Sequence, residues 1–140
     1  MKYFYIEPEV AGGLGKNTVM NRAVHPPVVS KLHYQIDGWL GDVLLESFPS
    51  FIVTEDAGQQ LQAIGATGVR FDDVEVTTSD QFRQLYPNRR LPKFIWLRAE
   101  GQPACDDFGI APDGRLVTSE RVFETLKKLG VANALVAPFK

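Results

Sequence analysis

Residues 51–65, FIVTEDAGQQLQAIG, carry the clearest structural pattern in this chain. Residues 51–53 form a short apolar run typical of a buried strand, and Thr54 is a residue type that often caps the N-terminus of a helix. Three apolar residues then follow at i, i+4 and i+7, the spacing of one helix face: Ala57, Leu61 and Ile64. Gly65 comes next, and glycine commonly ends a helix. The segment therefore predicts a strand that runs directly into a helix.

The same pattern returns 65 residues later, in residues 116–130, LVTSERVFETLKKLG. Ser119 occupies the capping position and Gly130 the terminating one. The apolar helix face is again spaced regularly: Val122, Leu126 and Leu129. A strand-like segment follows each predicted helix: 69–76 after the first and 134–137 after the second. The sequence thus predicts two strand–helix–strand units that share one pattern, as an internal repeat would. These units are residues 51–76 and residues 116–137.

The rest of the chain adds strands and one long loop to these units. Lys2–Glu7 and 32–36 are predicted strands, and 94–97 is predicted to be central in a sheet because it is apolar on both faces. Residues 79–86 predict a further helical turn. Residues 10–29 contain several glycines and prolines without a sustained period, which predicts a surface loop.

Together these elements predict a single α+β domain over residues 1–140, with a mixed or antiparallel sheet and two short helices. The strand predicted at 69–76 changes phase at Asp72-Asp73. A bulge at this point would restore one buried face to the strand.

Composition favours a cytoplasmic protein. The chain has 44% hydrophobic and 23% charged residues, which is too apolar for disorder. Its single cysteine, Cys105, cannot form an internal disulfide. Glu7 and Glu9 interrupt the N-terminal segment where a signal peptide needs an apolar run, and no stretch approaches a membrane span of about 18 apolar residues.

Charge is unevenly distributed along the chain. Residues 37–80 contain nine acids and one base, a net charge of -8, whereas residues 81–98 contain five bases and no acid, a net charge of +5. Such a distribution predicts an acidic face for a basic partner. The alternative is that these charges lie on separate solvated faces or pair with each other.

No catalytic or metal-binding motif satisfies its chemical requirements. The glycines at 12–15 before Lys16 resemble a phosphate-binding loop, but Val10 and Asn17 stand where that loop needs Gly and Ser or Thr. Cys105 lacks an evident third group to complete a nucleophile–base pair with either histidine. Four zinc ligands cannot be gathered at a usual spacing. The basic segment 89–93 is too small, in a net acidic chain, to favour nucleic-acid binding. The sequence therefore predicts no catalytic residues, no metal and no cofactor.

Six short segments, in this order, resemble an immunity-protein family of bacterial polymorphic-toxin systems. They are 37–42 (DGWLGD), 51–55 (FIVTE), 71–76 (FDDVEV), 85–87 (LYP), 106–109 (DDFG) and 116–120 (LVTSE). The resemblance covers about residues 32–139 and leaves the 10–29 loop outside it. It implies a non-enzymatic α+β protein that binds and blocks a cognate toxin encoded beside it, and it supplies no catalytic residues.

Six residues are the candidates for contact with such a toxin: Asp37, Trp39, Asp42, Asp72, Asp73 and Glu75. Trp39 lies among glycines and acids and is the aromatic most suited to act as an interface anchor. The alternative is that its ring packs in the core. The acids are suited to steering a basic partner. The expected partner is therefore a toxin protein, with neither nucleic acid nor a membrane, and the oligomeric state stays open.

A second functional class remains open at this point. In this alternative, four carboxylates converge as a small enzyme's acid–base site or as a ligand site: those of Asp37, Asp42, Asp73 and Asp106. Adjacent strand residues point to opposite faces, so each adjacent acid pair easily contributes only one carboxylate.

Overall fold

The computed structural model describes residues 2–140 and confirms the α+β class, with strands in four mostly antiparallel sheets and three helices within this range. The strands are β1 (Tyr3–Glu7), β2 (Gly12–Leu14), β3 (Val19–Asn21), β4 (Val28–Lys31), β5 (His33–Ile36), β6 (Leu44–Ser47), β7 (Ser50–Thr54), β8 (Val69–Asp72), β9 (Glu75–Thr78), β10 (Phe94–Ala99), β11 (Phe108–Ile110), β12 (Leu116–Ser119) and β13 (Leu135–Pro138). The helices are α1 (Glu55–Ala63), α2 (Asp80–Leu85) and α3 (Glu120–Leu129). None of the helices in this range is long and apolar enough to span a membrane.

Two four-stranded sheets contain the two predicted units. The first has the order β6-β7-β10-β8, and the second has the order β11-β12-β1-β13. In each sheet the third strand is antiparallel to both of its neighbours, so the strands before and after the helix, β7 and β8 or β12 and β13, are parallel to each other. Each unit is therefore a strand–helix–strand crossover, and a strand from outside the unit, but from the same chain, is inserted between its two strands.

The inserted strands are exchanged between the two halves of the chain. β1, which precedes the first unit, completes the second sheet, and β10, which precedes the second unit, completes the first sheet. Both insertions have the same register. Phe94 is opposite Thr54, and Tyr3 is opposite Ser119. Leu97 is opposite Phe71, and Ile6 is opposite Val136. The partners Thr54 and Ser119, and Phe71 and Val136, are each 65 residues apart, the spacing seen in the sequence.

One core joins the two units. Helix α1 packs against α3, and their buried faces meet residues of both inserted strands. This core includes Ile6, Leu61, Leu97, Val122 and Leu126, none more than 1% exposed. A second apolar cluster lies beneath the sheet of β2, β5 and β9, around Tyr34 and Trp96.

The prediction of a long surface loop at 10–29 was wrong. The segment contains β2 and β3 and reaches β4. β2 and β3 are three residues each, too short to show an alternating pattern in the sequence. Gly12 is needed inside β2, because a Cβ there would lie 1.8 Å from the carbonyl oxygen of Gln35.

The single bulged strand predicted at 69–76 is also not present. β8 ends at Asp72, and β9 begins at Glu75 in a different sheet, where it pairs in parallel with β5. The change of phase at Asp72-Asp73 therefore marks a change of sheet. The turn predicted at 79–86 is helix α2, so the described residues form three helices where two were expected.

The predicted caps of the two main helices are confirmed. Thr54 Oγ1 accepts a hydrogen bond from Ala57 N at 3.2 Å, and Ser119 Oγ accepts one from Val122 N at 3.4 Å. Ser119 Oγ also donates to the Asp107 carboxylate at 2.6 Å.

Alanine at either cap should lower the free energy of unfolding. We expect Thr54→Ala to cost about 1 kcal/mol, the usual value of an N-cap. Ser119→Ala should cost about 2 kcal/mol, because it also removes a hydrogen bond to a buried carboxylate. Urea unfolding at pH 7 measures both, with Thr54→Ser as the control that keeps the hydroxyl. Equal unfolding midpoints for all four proteins would contradict this account of the caps.

Candidate functional site

The loop of residues 37–42 is held in place by Glu9, a buried residue just after β1. Glu9 Oε2 accepts a hydrogen bond from Leu40 N at 2.6 Å, and Oε1 accepts a longer one from Asp42 N at 3.3 Å. Burial raises the pKa of the Glu9 carboxyl, although the two N–H donors oppose this shift. One carboxylate thus fixes the backbone of a loop that crosses the surface.

Trp39 is half-buried in the same loop and links it to its surroundings. Its Nε1 donates to the carbonyl oxygen of Asp42 at 2.8 Å, and its ring packs edge-on against Phe94 with 5.9 Å between ring centroids. The Arg89 guanidinium lies 4.9 Å from the centroid of the Trp39 ring and 5.8 Å from that of Tyr86. The cation therefore interacts with both aromatic faces.

The aliphatic residues that precede Tyr86 and follow Trp39 in the sequence are strongly exposed. Leu40 is 71% exposed at the tip of the loop, and Leu85 is 59% exposed at the end of α2. Within residues 2–140, no carboxylate oxygen lies within 4 Å of the Arg89 guanidinium. We call this surface the Trp39 patch; it consists of Trp39, Leu40, Leu85, Tyr86 and Arg89. It combines an unpaired cation, two aromatic rings and exposed apolar groups, and Glu9 holds the backbone of the loop that carries Trp39 and Leu40. Tryptophan, tyrosine and arginine are the residue types enriched in interface hot spots.

Of the other candidates in this loop, Asp37 is exposed just after β5, whereas Asp42 is buried. The Asp42 carboxylate accepts hydrogen bonds from Asn133 N at 2.8 Å and from Asn133 Nδ2 at 2.9 Å. Asp42 thus fastens the loop to the α3–β13 connection and is not free to meet a partner in this structure.

The remaining three candidates lie together where the chain passes from β8 to β9. Asp72 is paired with Arg98 at 2.9 Å and with Arg70 at 3.2 Å. Asp73 is exposed, and the exposed Glu75 accepts hydrogen bonds from the Asn17 side chain. Asp73 and Glu75 are therefore the acids of this group that most resemble a free acidic surface.

Part of the acidic stretch is neutralised by the basic stretch that follows it. Besides the Arg98–Asp72 pair, Lys93 pairs with Glu55 at 3.0 Å, and Arg83 pairs with Asp80. One alternative left open by the sequence was that charges of the acidic and basic stretches pair with each other. These pairs confirm it for part of both stretches. Arg89 is not paired in this way and contributes its charge to the Trp39 patch.

The four carboxylates of the enzyme alternative do not converge. Asp42 is bound to Asn133, and Asp106 accepts a hydrogen bond from Gln102 N at 2.7 Å. Asp106 lies beside Gly68, just before β8, whereas Asp73 follows the other end of that strand. Residues 2–140 contain no group of three or more His, Cys, Asp or Glu side chains placed to hold a metal ion.

The most strongly perturbed carboxyl is that of Asp107, which the sequence pattern did not single out from Asp106. Arg121 donates to both of its oxygens, at 2.9 and 2.6 Å, and Thr67 N donates at 2.9 Å. The Arg121 hydrogen bonds, together with those from Ser119 and Thr67, hold the pKa of Asp107 well below its usual range. Arg121 also donates to the carbonyl oxygens of Ile64 and Gly65 after α1. This network ties the end of α1 to the start of α3, so its role is structural.

A second perturbed carboxyl, Glu46 on β6, has no comparable partner. Burial, and then the nearby charge of Glu7, raise the pKa of Glu46 to about 7. The backbone of Glu46 is well bound, since its N–H donates to the Glu9 carbonyl oxygen and its carbonyl oxygen accepts from the Tyr34 hydroxyl. The carboxyl is therefore held where ionisation is unfavourable.

Comparisons with protein-family models, with curated proteins and with solved structures found no match to this chain. The functional argument accordingly rests on the geometry of its own residues.

Acid should destabilise the protein through Asp107. The pKa of this carboxyl is lower in the folded state than in the unfolded state, so its stabilisation is complete above about pH 5 and is lost as pH falls through the unfolded and then the folded value. We expect Asp107→Asn to lose about 2 kcal/mol at pH 7 and to show a flatter dependence of stability on pH below about pH 4. Urea unfolding between about pH 2 and about pH 7 measures the free energy of unfolding of both proteins. If the stability of Asp107→Asn falls with pH as steeply as that of the wild type, the acid dependence does not come from Asp107.

Glu46 should have the opposite effect on stability, which it lowers as pH rises. Its folded pKa lies above the unfolded value, so wild-type stability falls as pH rises from about 5 to about 8. Glu46→Gln should remove this fall and gain on the order of 1 kcal/mol at the alkaline end. At about pH 4 the two proteins should be equally stable. Thermal unfolding at both pH values is the measurement, and Glu124→Gln on the exposed face of α3 is the control.

Proposed function

We propose that this protein is a cytoplasmic immunity protein that binds and neutralises a cognate bacterial toxin, without catalysis. The observation that carries the proposal is the Trp39 patch on its fixed loop. Four of its five residues, all but Arg89, lie within two segments, 37–42 and 85–87, that contribute to the resemblance to immunity proteins. We propose that the toxin contacts this patch.

The rigidity of the loop favours tight binding. Glu9 and Asp42 hold the backbone on both sides of Leu40, so little conformational freedom is left to lose when a partner binds. Leu40 supplies exposed apolar area, and the rings around Arg89 supply the residue types on which interfaces most depend.

The exposed acids Asp37, Asp73 and Glu75 add an electrostatic contribution. Charges at the rim of an interface raise the association rate for an oppositely charged partner more than they raise the final affinity. We therefore propose that these acids steer a basic surface of the toxin, while the Trp39 patch holds it.

The proposal is tested by co-expression with the toxin domain encoded by the adjacent gene. Cells that express the toxin should grow only when the wild-type protein is present, and the two purified proteins should form a stoichiometric complex. Protection without complex formation would indicate an enzymatic mode of protection and would refute the proposal.

Within that complex, Leu40→Ala should increase the dissociation rate at least about tenfold, because Leu40 is exposed and its loss should not disturb the core. Trp39→Ala should do the same, with an additional loss of stability from its packing on Phe94. Surface binding kinetics measure these rates, and Val19→Ala, an exposed position on β3, is the control. Unchanged dissociation for Leu40→Ala would move the interface away from this patch.

Reversal of two acids should affect association instead. Asp73→Lys with Glu75→Lys should slow association and weaken its dependence on salt, with little change in dissociation. Asp72 is excluded from the test because its reversal would also break the pairs with Arg70 and Arg98. Glu124→Lys, which reverses one exposed acid on α3, is the charge-matched control for each of the two single reversals. An association rate equal to that of the control would show that these acids form only a solvated face.

A further inference from the structure

The two strand–helix–strand units offer the same surface twice, and the two copies differ. In the first unit, α1 carries Gly58 where it crosses the sheet. A Cβ at Gly58 would lie 2.4 Å from Ile95 Cδ1 and 3.7 Å from Phe71 Cε1, so the glycine admits these side chains against the helix. Both belong to the partly buried shell of the main core. The surface between α1 and β8 is therefore filled from within the chain.

In the second unit the equivalent surface is open. Phe123 takes the place of Gly58, 65 residues on, and packs on Phe4 with 4.9 Å between ring centroids. A groove of about 340 Å3 remains between α3 and β13, lined mainly by Phe123, Lys127, Val131 and Val136. A further opening of about 530 Å3 lies along the same strand, beside Phe4, Pro138 and Phe139. We call the two together the α3–β13 groove.

The edge strands of the two units also differ, because that of the first unit carries charged side chains and that of the second is apolar. β8 carries Arg70 and Asp72, whose charges are paired, and charged side chains are a common protection of sheet edges. At the equivalent positions β13 carries Leu135 and Ala137, and all four residues of β13 are exposed. Val136 is 40% exposed where its counterpart Phe71 packs against the core. The apolar character of this edge is thus a feature of one unit and not of the scaffold.

The charged residues that line the α3–β13 groove are all lysines. Lys127 lines the first opening, and Lys2 and Lys140 line the second. Across residues 2–140, none of these three ammonium groups has a carboxylate oxygen within 4 Å. An apolar groove bordered by unpaired cations complements a segment in which apolar side chains are flanked by acids.

We propose that the α3–β13 groove is a docking site for an acidic amphipathic segment of another protein. Apolar side chains of that segment pack against Phe123 and Val136, and its carboxylates pair with the lysines. The site lies on elements other than those of the Trp39 patch and does not depend on the proposed toxin contact.

Two other occupants fit the surface less well. A second copy of this chain would bring the three lysines of one molecule against those of the other about a two-fold axis. An anionic membrane would match the charge, but the apolar residues on the helix side of β13 line a concave groove, whereas membrane insertion needs protruding side chains. A groove is suited to the side chains of a protein segment.

The probe for this site is a randomised peptide library displayed on phage and selected on the immobilised full-length protein. We expect the selected peptides to combine Asp or Glu with large apolar residues. Titration of a labelled selected peptide, followed by fluorescence anisotropy, should show about tenfold weaker binding to Val136→Asp and to Lys127→Glu, the loss expected for an interface anchor. Lys127→Glu is on an exposed helix face, so its effect is separable from any loss of folding in Val136→Asp.

Matched controls come from the other unit and the other surface. Gln62→Glu introduces the same charge at the position equivalent to Lys127, and Leu40→Ala alters the Trp39 patch; both should bind the peptide as the wild type does. The proposal is overturned if no peptide is enriched, if the peptides lack acids, or if all variants bind equally. It is also overturned if light scattering shows a dimer that Val136→Asp disrupts. Co-sedimentation with phosphatidylserine vesicles that Lys127→Glu abolishes, with no peptide selected, would assign the groove to a membrane instead.

Discussion

Each of the two four-stranded sheets is completed by a strand from the other half of the chain, and this exchange constrains everything else in the molecule. β10 lies between β7 and β8, and β1 lies between β12 and β13. Without these strands, the two parallel strands of each crossover would have no hydrogen-bonding partner between them. The first helical residues depend on the exchange as well, since Glu55 N donates to the Lys93 carbonyl oxygen and Glu120 N to that of Lys2. Neither unit can therefore form its sheet and its helix start without the other half of the chain.

The Trp39 patch depends on this arrangement. Glu9 comes two residues after β1, and Asp42 two residues before β6. Asp42 reaches the connection of the second unit through Asn133, and Val43 N donates to the Gly130 carbonyl oxygen at the end of α3. The loop that presents Leu40 is thus fixed by residues from both halves. A binding surface gains affinity when its geometry is set before the partner arrives, because less conformational entropy is then lost.

Comparison of equivalent positions in the two units distinguishes residues that the shared fold requires from residues that it does not. Where the two copies agree, as in the N-caps and the strand register, the shared residue pattern is explained by folding alone. Where they differ, as at Gly58 and Phe123, one copy closes its surface and the other leaves it open. Such differences cannot be attributed to the needs of the common scaffold.

The sequence by itself determined the local structure: the α+β class, the two helices with their caps, and the central strand at 94–97. These features depend on side chains within a few residues of one another, so periodicity and capping chemistry reveal them. It left the place of Trp39 open between the surface and the core, and the structure has its ring half-buried against Phe94. Tertiary structure alone decided the pairing of strands, since hydrogen bonds between distant backbones leave no periodic trace. For that reason the sheet change at Asp72-Asp73 was predicted as a bulge and the strands within 10–29 as a loop.

The roles of the charged residues were also decided by the tertiary structure. Asp42 became a buried anchor, Asp72 an ion-pair partner and Arg89 a cation over the Trp39 ring, because burial and pairing depend on which segments meet in space.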